Sequence, residues 1–374
     1  MKITKIETTP LRLALKEPYY WSHGVLHAAE TVLIAVHTDE GLVGYGEAMA
    51  AASPPATLSL LDAAAKIAVG RDPLAINALL AELYRRLFAT RGNLGGHRFA
   101  ATILAGLDMA LWDIAGKAAG RPVHALLGGA VRAAIGYFGF PQGETPEQIA
   151  LDARRWADSG CAVIYVKVGR GDRLDHAIVA QVRAAIGPHR LRLDANEAWD
   201  VLTARRMMRS LARFDIEFLE QPTSADSLAA LRALRPGGVP IAADQSIYSP
   251  EDTFQLCRDG AAELIVLGLH EAGGITRLLK SAAIAEAAGI NICLHGLYET
   301  GITTCATMQA GAVIANLDDG NQIMNHLLVE DIVATPDLAL DQGRLPTASG
   351  PGLGFTLDWD AVGRAAACYR ADPL

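Results

Sequence analysis

Between about residues 132 and 328, short apolar runs typical of β-strands alternate with helix-like segments at a spacing of about 25 residues. The clear runs are AIGYFGF, AVIYVKVG, LRLDAN, IEFLEQP, PIAADQS, ELIVLGL and INICLHG, and a weaker unit lies around 316–328. Strands that alternate with helices in this way usually form one parallel sheet. The pattern therefore predicts an α/β fold, a modified TIM barrel of the (β/α)7β type.

The flanking segments have a different pattern. KITKIETTPLRLAL and TVLIAVHTDEGLVGYGEA alternate polar and apolar residues as strands do, and helical stretches follow at 55–69, 73–89 and 98–118. We therefore expect three regions: an N-terminal α+β capping domain at 1–125, a β/α-barrel catalytic domain at 126–330, and a C-terminal segment at 331–374 that returns to the capping domain.

Composition argues against several functional classes. The net charge is −8 and no stripe of Lys and Arg is present, so a nucleic-acid partner is not expected. No run of 18 apolar residues is present, and the N-terminus has no apolar core of a signal peptide, so no membrane partner is expected. The five cysteines form no CxxC pair, which favours a reduced, cytoplasmic protein.

Three carboxylates end three successive strand-like runs. They are Asp194 in LRLDAN, Glu220 in IEFLEQP and Asp244 in PIAADQS, which places them together on the C-terminal rim of the barrel. Each one alone could cap the helix that follows it. Three at equivalent positions repel one another unless a cation lies between them, so we predict a Mg²⁺ site, with Mn²⁺ as an alternative.

Two side chains could transfer protons beside this site. Lys167 ends AVIYVKVG, where burial and a nearby metal would lower its pKa and allow it to act as a base. It could instead be only the ion-pair partner of a metal ligand. His295 ends INICLHG and faces Lys167 across the barrel, although it could be a buried core histidine. Tyr165 shares the interior face of Lys167 and could donate a hydrogen bond or simply fill space.

Other side chains are candidates for substrate binding. Asn196 lies two residues beyond Asp194, and the segment KEPYYWSHG at 17–24 could be a buried loop or a lid that closes over the barrel. Glu271 could cap the next helix or pair with a cation. The candidate substrate-binding residues are Asn196, Tyr20, Trp21, Phe138 and His270.

The motifs DAN, EQP and ADQ at three successive strand ends, together with GRPVHALLGG before the barrel, are similar to those of the enolase superfamily. Within it, the chain resembles the mandelate racemase and muconate lactonizing enzyme group over nearly its whole length. The resemblance implies that Asp194, Glu220 and Asp244 bind Mg²⁺, which holds the carboxylate of a small substrate. It also implies removal of the proton next to that carboxylate, giving a metal-stabilised enolate, and a homo-oligomer.

The chain departs from the group at three places. Its Lys-x-Lys position reads Tyr165-Val166-Lys167, so only the second lysine, usually the base, is present. Gly268 stands on the sixth strand, where members of the group carry a lysine or an aspartate. His295 matches the histidine of a His–Asp dyad whose aspartate is therefore missing. Asn321 or Asp319 is expected where related enzymes place a glutamate near the substrate carboxylate.

These residues leave the fate of the proton open. The leading hypothesis is a Mg²⁺-dependent isomerase, which may be a racemase, an epimerase or a cycloisomerase, with Lys167 as base and His295 on the opposite face. A dehydratase that acts on a hydroxy acid would use the same two groups. The third hypothesis is a non-catalytic metal-binding protein that has lost its sixth-strand group.

Overall fold

The computed structural model describes residues 1–50, 53–89 and 97–372. The N-terminal part begins with an antiparallel sheet in the order β1-β2-β3. Four helices follow, the third of which covers one face of this sheet. The elements are β1 (Ile3–Trp21), β2 (Gly24–Thr38), β3 (Val43–Met49), α1 (Pro54–Ala68), α2 (Ile76–Leu87), α3 (His97–Ala119) and α4 (Val123–Leu126).

Helix α3 lies directly on β3. A Cβ atom at Gly44 or Gly46 would overlap the carbonyl oxygen of Ala110 or Gly106, so only glycine allows this approach. By length and composition, Arg98–Ala119 of α3 could cross a membrane, but 83% of its most apolar window is buried inside the protein. That burial is the property of a core helix.

The barrel region contains the predicted alternation of strands and helices. Gly273 ends the one-turn helix α10 in the left-handed conformation, with φ of 89°. The elements are β4 (Ala134–Gly136), α5 (Pro146–Asp158), β5 (Val163–Lys167), α6 (Asp172–Ile186), β6 (Arg190–Asp194), α7 (Val201–Leu211), β7 (Ile216–Glu220), α8 (Leu228–Leu234), β8 (Ile241–Ala243), α9 (Pro250–Asp259), β9 (Leu264–Gly268), α10 (Leu269–Ala272), α11 (Ile275–Ala287), β10 (Asn291–His295) and α12 (Gly301–Gly311).

Strands β5 to β10 form one parallel sheet in sequential order. Isolated parallel bridges link the two edges of this curled sheet to the segments around residues 137–139 and 317–321, and join those segments to each other. The bridges are Gly139–Ile164, Ile292–Leu317 and Tyr137–Asn321. The predicted α/β architecture, a modified barrel with an N-terminal cap, is confirmed.

The C-terminal segment contains β11 (Val333–Thr335), β12 (Arg344–Pro346), β13 (Thr356–Leu357) and a helix, α13 (Trp359–Ala371). The sequence pattern predicted that this segment returns to the capping domain but did not predict a helix in it. Asp358 caps it by accepting hydrogen bonds from the amides of Asp360 and Ala361. Its apolar face packs against β1, where Val362 and Leu11 belong to the same buried cluster.

The segment 17–24, expected as a loop or lid, is instead the end of a β-hairpin. Tyr20 pairs with Val25 and Trp21 with Gly24 at the tip of β1 and β2. This tip reaches the barrel, because Nε2 of His23 lies 3.0 Å from the carbonyl oxygen of Asn196. The tip of this strand pair therefore contacts the segment that follows β6 at the C-terminal end of the barrel, and a lid function of residues 17–24 remains a prediction.

Candidate active site and metal centre

The three predicted metal ligands meet at the C-terminal ends of adjacent strands. The parallel register pairs Asp194, the last residue of β6, with Glu220, the last residue of β7. Asp244 immediately follows β8, and the amide of Asp244 donates to Oε1 of Gln221 at 3.0 Å. One carboxylate oxygen from each of the three lies within 4.8 Å of the others. All three side chains are at most 1% exposed.

The donor set fits a hard divalent cation. Oε2 of Glu220 and Oδ1 of Asp244 are buried and accept no hydrogen bond from the residues described. Burial and the neighbouring carboxylates raise the pKa of Glu220 well above its ordinary value, and burial also raises that of Asp244. Buried, mutually repelling carboxylates with free oxygens are the arrangement that Mg²⁺ or Mn²⁺ stabilises.

Tyr165 is bound to two of these ligands. Its hydroxyl lies 2.6 Å from Oδ2 of Asp194 and 2.8 Å from Oε1 of Glu220. The single phenolic proton can be donated to only one of these oxygens at a time, so the hydroxyl links the pair without adding charge. Phe138 stacks on the Tyr165 ring with 4.3 Å between ring centroids, which fixes its position.

Lys167 ends β5 in register with Asp194, and its Nζ donates to Oδ2 of that carboxylate. Burial lowers the pKa of Lys167, but the charges of Asp194, Tyr19 and Glu220 outweigh burial and raise it. A cation among these carboxylates would act in the opposite direction, so the lowered pKa expected beside a bound metal remains a prediction.

His295 lies at the other end of the triad. Its Nε2 is 3.5 Å from Oδ1 of Asp244 and is hydrogen-bonded to Oε2 of Glu271. Burial lowers the pKa of His295, but Asp244 and Glu271 outweigh burial and raise it to about 10. The histidine therefore has a carboxylate partner, Glu271, although the aspartate of a His–Asp dyad is missing from the sixth strand, as the sequence indicated.

Asn196 is also at the triad, where its amide N–H donates to Oδ1 of Asp194 at 2.7 Å. Its side-chain Oδ1 is buried without a hydrogen-bond partner among the described residues. Trp21 lies above this region, with its ring centroid 6.4 Å from that of Tyr298. Roles of Asn196, Trp21 and Phe138 in substrate binding remain predictions.

Three candidates make their side-chain contacts away from the acidic triad. The side-chain amide of Asn321 is committed to backbone groups: Oδ1 accepts from the amide of Leu294 at 2.7 Å, and Nδ2 donates to two carbonyls. Asp319 pairs with Arg344 at 3.0 Å and is half-exposed. Nε2 of His270 lies 3.0 Å from Oγ1 of Thr303. Neither Asn321 nor Asp319 therefore takes the place expected for a carboxylate-binding residue.

Tyr20 and its neighbour Tyr19 lie on opposite faces of β1, and a role of Tyr20 in substrate binding remains a prediction. The Tyr20 ring packs against the guanidinium of Arg170, with 5.3 Å between that group and the ring centroid. Its neighbour Tyr19 is instead buried and interacts electrostatically with Lys167. Tyr298 joins Tyr19 at 5.5 Å between centroids. Sequence reasoning missed Tyr19 and Tyr298, although the alternation of β1 would have separated Tyr19 from Tyr20.

Comparison with known proteins agrees with this geometry. Residues 3–128 match the mandelate racemase / muconate lactonizing enzyme N-terminal domain, and 148–361 match the enolase C-terminal domain-like family. Muconate cycloisomerase 1 from Rhodococcus opacus is 30% identical over 376 residues, which cover 97% of this chain and 98% of the relative.

Two solved structures are also similar. Muconate lactonizing enzyme from Pseudomonas fluorescens in complex with muconolactone has a TM-score of 0.90 and 31% identity, covering 97% of this chain and 99% of that chain. Dipeptide epimerase from Enterococcus faecalis in complex with Mg and the dipeptide L-Leu-L-Tyr has a TM-score of 0.87 and 28% identity, covering 95% and 100%.

Proposed function

Because the chain belongs to the mandelate racemase / muconate lactonizing enzyme family, we propose that it is a Mg²⁺-dependent isomerase that removes the α-proton of a small carboxylate. Racemase, epimerase and cycloisomerase activities all fall within this proposal. The solved relatives with muconolactone and with Mg and a dipeptide support both the substrate class and the metal.

The observation that carries the proposal is the position of two proton-transfer groups at opposite ends of one acidic triad. Lys167 contacts Asp194, and His295 contacts Asp244, with Glu220 on the strand between them. A substrate carboxylate held at the triad would therefore have an amine on one side and an imidazole on the other. Two groups so placed can remove and return a proton on opposite faces of a carbon.

The metal would be held by Asp194, Glu220 and Asp244. When bound, Mg²⁺ supplies positive charge that stabilises the charge developing on the substrate carboxylate. The hydroxyl of Tyr165 keeps two of the three ligands in place. Tyr165, which carries no charge, leaves Lys167 as the one cationic residue of the Tyr165-Val166-Lys167 motif.

Lys167 acts as the base once its amine is neutral. Asp194 and Glu220 oppose that state by raising its pKa, so positive charge among the same carboxylates favours the neutral amine. Burial lowers the pKa of His295, whereas Asp244 and Glu271 raise it, and Glu271 lies outside the metal triad; its carboxylate favours a protonated imidazole, which can act as the acid on the other face. Return of this proton to the α-carbon inverts the centre, whereas transfer to a leaving hydroxyl would give dehydration.

Aromatic rings favour a compact substrate with an apolar or cyclic flank. Tyr19, Trp21 and Tyr298 pack on one another beside Lys167, and the Nζ of Lys167 lies 5.9 Å from the ring centroid of Phe140. A ring or an alkyl group next to the reacting carbon would contact these faces. A homo-oligomeric state and a cytoplasmic location remain predictions.

Incubation with Mg²⁺ in D₂O against hydroxy acids, amino acids, cyclic imino acids, dipeptides and lactones tests the proposal by mass spectrometry. Deuterium gain without loss of water is expected for at least one compound, and Lys167→Ala should abolish exchange on the face of the α-carbon that Lys167 serves. Lys280→Ala, which removes an exposed amine, is the matched control. Loss of water would assign a dehydratase instead, and exchange that persists on both faces in Lys167→Ala would overturn the role of Lys167.

A further inference from the structure

The sixth barrel strand ends without a side chain, and two other side chains occupy the space above it. Gly268 is the last residue of β9, and the parallel register places it beside His295 of β10. A Cβ atom at Gly268 would lie inside van der Waals contact of Oε2 of Glu271 and Nε2 of His295, and 2.7 Å from Cδ2 of His295. In the present positions of Glu271 and His295, their hydrogen bond occupies space that any side chain at residue 268 would need.

The carboxylate arrives from the turn that follows the strand. Glu271 lies in the one-turn helix α10, which the amides of Gly273 and Gly274 close by donating to the carbonyls of His270 and Leu269. Its side chain is 2% exposed and directed back toward the barrel. A residue three positions beyond the strand end thus fills the space of a strand-end side chain.

The side chain of Tyr248 lies near the carboxylate of Glu271. The hydroxyl of Tyr248 interacts with the carboxylate of Glu271, and burial together with Glu271 and Asp244 raises the pKa of Tyr248. The guanidinium of Arg98 in the capping domain lies 4.6 Å from the centroid of the Tyr248 ring. Glu271 therefore has a second neighbour besides His295, and that neighbour is itself in contact with the capping domain.

We infer that Glu271 is the positioning residue for His295. Because residue 268 is glycine, the carboxylate partner of this histidine comes from the turn after β9 and not from the end of the strand. Glu271 holds Nε2 of His295, and Nδ1 makes no hydrogen bond to the described residues. The carboxylate fixes the ring orientation and stabilises the imidazolium. This inference rests on the proposed function, in which His295 is the acid.

A spectroscopic test needs no substrate. In protein labelled with ¹⁵N-histidine, the Nε2 proton of His295 should give a downfield resonance, identified by its loss in His295→Asn. We expect the resonance to disappear in Glu271→Ala and in Gly268→Ala, whose Cβ expels the carboxylate. It should persist in Glu286→Ala, which removes an exposed carboxylate on α11. A resonance that survives Glu271→Ala would overturn the inference.

A kinetic test uses the substrate identified by deuterium exchange. Glu271→Ala should lower kcat about ten- to hundredfold with little change in KM, in the same direction of the reaction as His295→Asn. Restoring a carboxylate on the strand, in Gly268→Asp combined with Glu271→Ala, should recover at least part of that loss. Unchanged kcat in Glu271→Ala would contradict the inference while leaving the proposed function intact, provided that Lys167→Ala is inactive.

Metal stoichiometry tests whether Glu271 binds a second metal ion instead of positioning His295. Asp244, Glu271 and His295 also offer ligand atoms within 4.8 Å of one another. Equilibrium dialysis with Mn²⁺ should show one ion per chain in both the natural protein and Glu271→Ala. Two ions in the natural protein and one in Glu271→Ala would assign Glu271 to a second metal site and overturn the positioning role.

Discussion

The hydroxyl of Tyr165 lies 2.6 Å from Oδ2 of Asp194, so a neutral group contacts the same carboxylate oxygen that accepts a hydrogen bond from Nζ of Lys167. The same hydroxyl reaches Oε1 of Glu220 at 2.8 Å. The hydroxyl of Tyr165 therefore orients two predicted metal ligands without adding positive charge. The net charge of the triad and its neighbours is more negative than it would be with a lysine at position 165.

Tyr165→Phe removes this link and should weaken Mg²⁺ binding about tenfold, since outer groups that orient metal ligands commonly contribute that much. Isothermal titration with Mg²⁺ measures the change. Tyr137→Phe is the matched control, because the Tyr137 hydroxyl is buried without a hydrogen-bond partner in the described residues. An unchanged affinity in Tyr165→Phe would contradict a role in orienting the ligands.

Replacing a metal ligand by its neutral isostere should have opposite effects on the stability of the metal-free protein and on its stabilisation by Mg²⁺. Glu220→Gln and Asp244→Asn remove buried carboxylates whose pKa is raised, so each should raise the melting temperature of the metal-free protein. Each should also abolish most of the stabilisation that Mg²⁺ adds by binding the folded state. Thermal unfolding with and without Mg²⁺ measures both effects, and Glu286→Gln is the control. An undiminished Mg²⁺ effect would argue against the triad as the metal site.

The hairpin tip should contribute to substrate affinity more than to turnover. Trp21 packs on Tyr19 and Tyr298 next to Lys167, so Trp21→Ala should raise KM about tenfold and change kcat less. Steady-state kinetics on the identified substrate tests this. Trp359→Ala, which removes a half-exposed ring on α13, should leave both constants unchanged. A fall in kcat alone would mean that Trp21 acts on the chemistry rather than on binding.

Asp108 makes the junction between cap and barrel sensitive to pH. Burial raises its pKa from 3.8 to about 7, although its carboxylate accepts hydrogen bonds from Thr276 at the start of α11. A raised carboxyl pKa adds stability at low pH that is lost as pH rises through about 7. Relative to Asp108→Asn, the natural protein should lose stability between about pH 4 and pH 7, by up to about 1.4 kcal/mol per pH unit.

Urea unfolding of both proteins across this pH range measures the difference. Asp62→Asn, which removes an exposed carboxylate on α1, should show no such trend. A constant difference between Asp108→Asn and the natural protein at all pH values would mean that Asp108 titrates at its ordinary pKa in the folded state.

Sequence was sufficient for the parts of the site that sit on strand ends. The C-terminal ends of parallel barrel strands meet at one rim, independently of the loops that follow them. For this reason the sequence predicted the common location of Asp194, Glu220, Lys167 and His295. Asp244 follows the same logic one residue beyond β8. The regular spacing of the strand-like runs similarly predicted helices between the barrel strands.

Groups that reach the site indirectly were not predictable in this way. Glu271 arrives through a one-turn helix, and its contact with His295 depends on the absence of a side chain at Gly268. Asn321 was predicted to bind substrate, but its side-chain amide is hydrogen-bonded to the backbone of Leu294 and Gly136. These two backbone groups come together only in the folded barrel. The α13 helix was missed because its apolar face is matched by β1, a strand more than 300 residues earlier in the chain.

The most direct test of the account is deuterium exchange into the α-position of the substrate, followed separately for each face in Lys167→Ala and His295→Asn. If Lys167 and His295 act on opposite faces of the α-carbon, Lys167→Ala should lose exchange on one face and His295→Asn should lose it on the other. Both variants should still bind Mg²⁺. Exchange on both faces in Lys167→Ala, or loss from the same face in both variants, would contradict the placement of the two groups on opposite sides of the substrate.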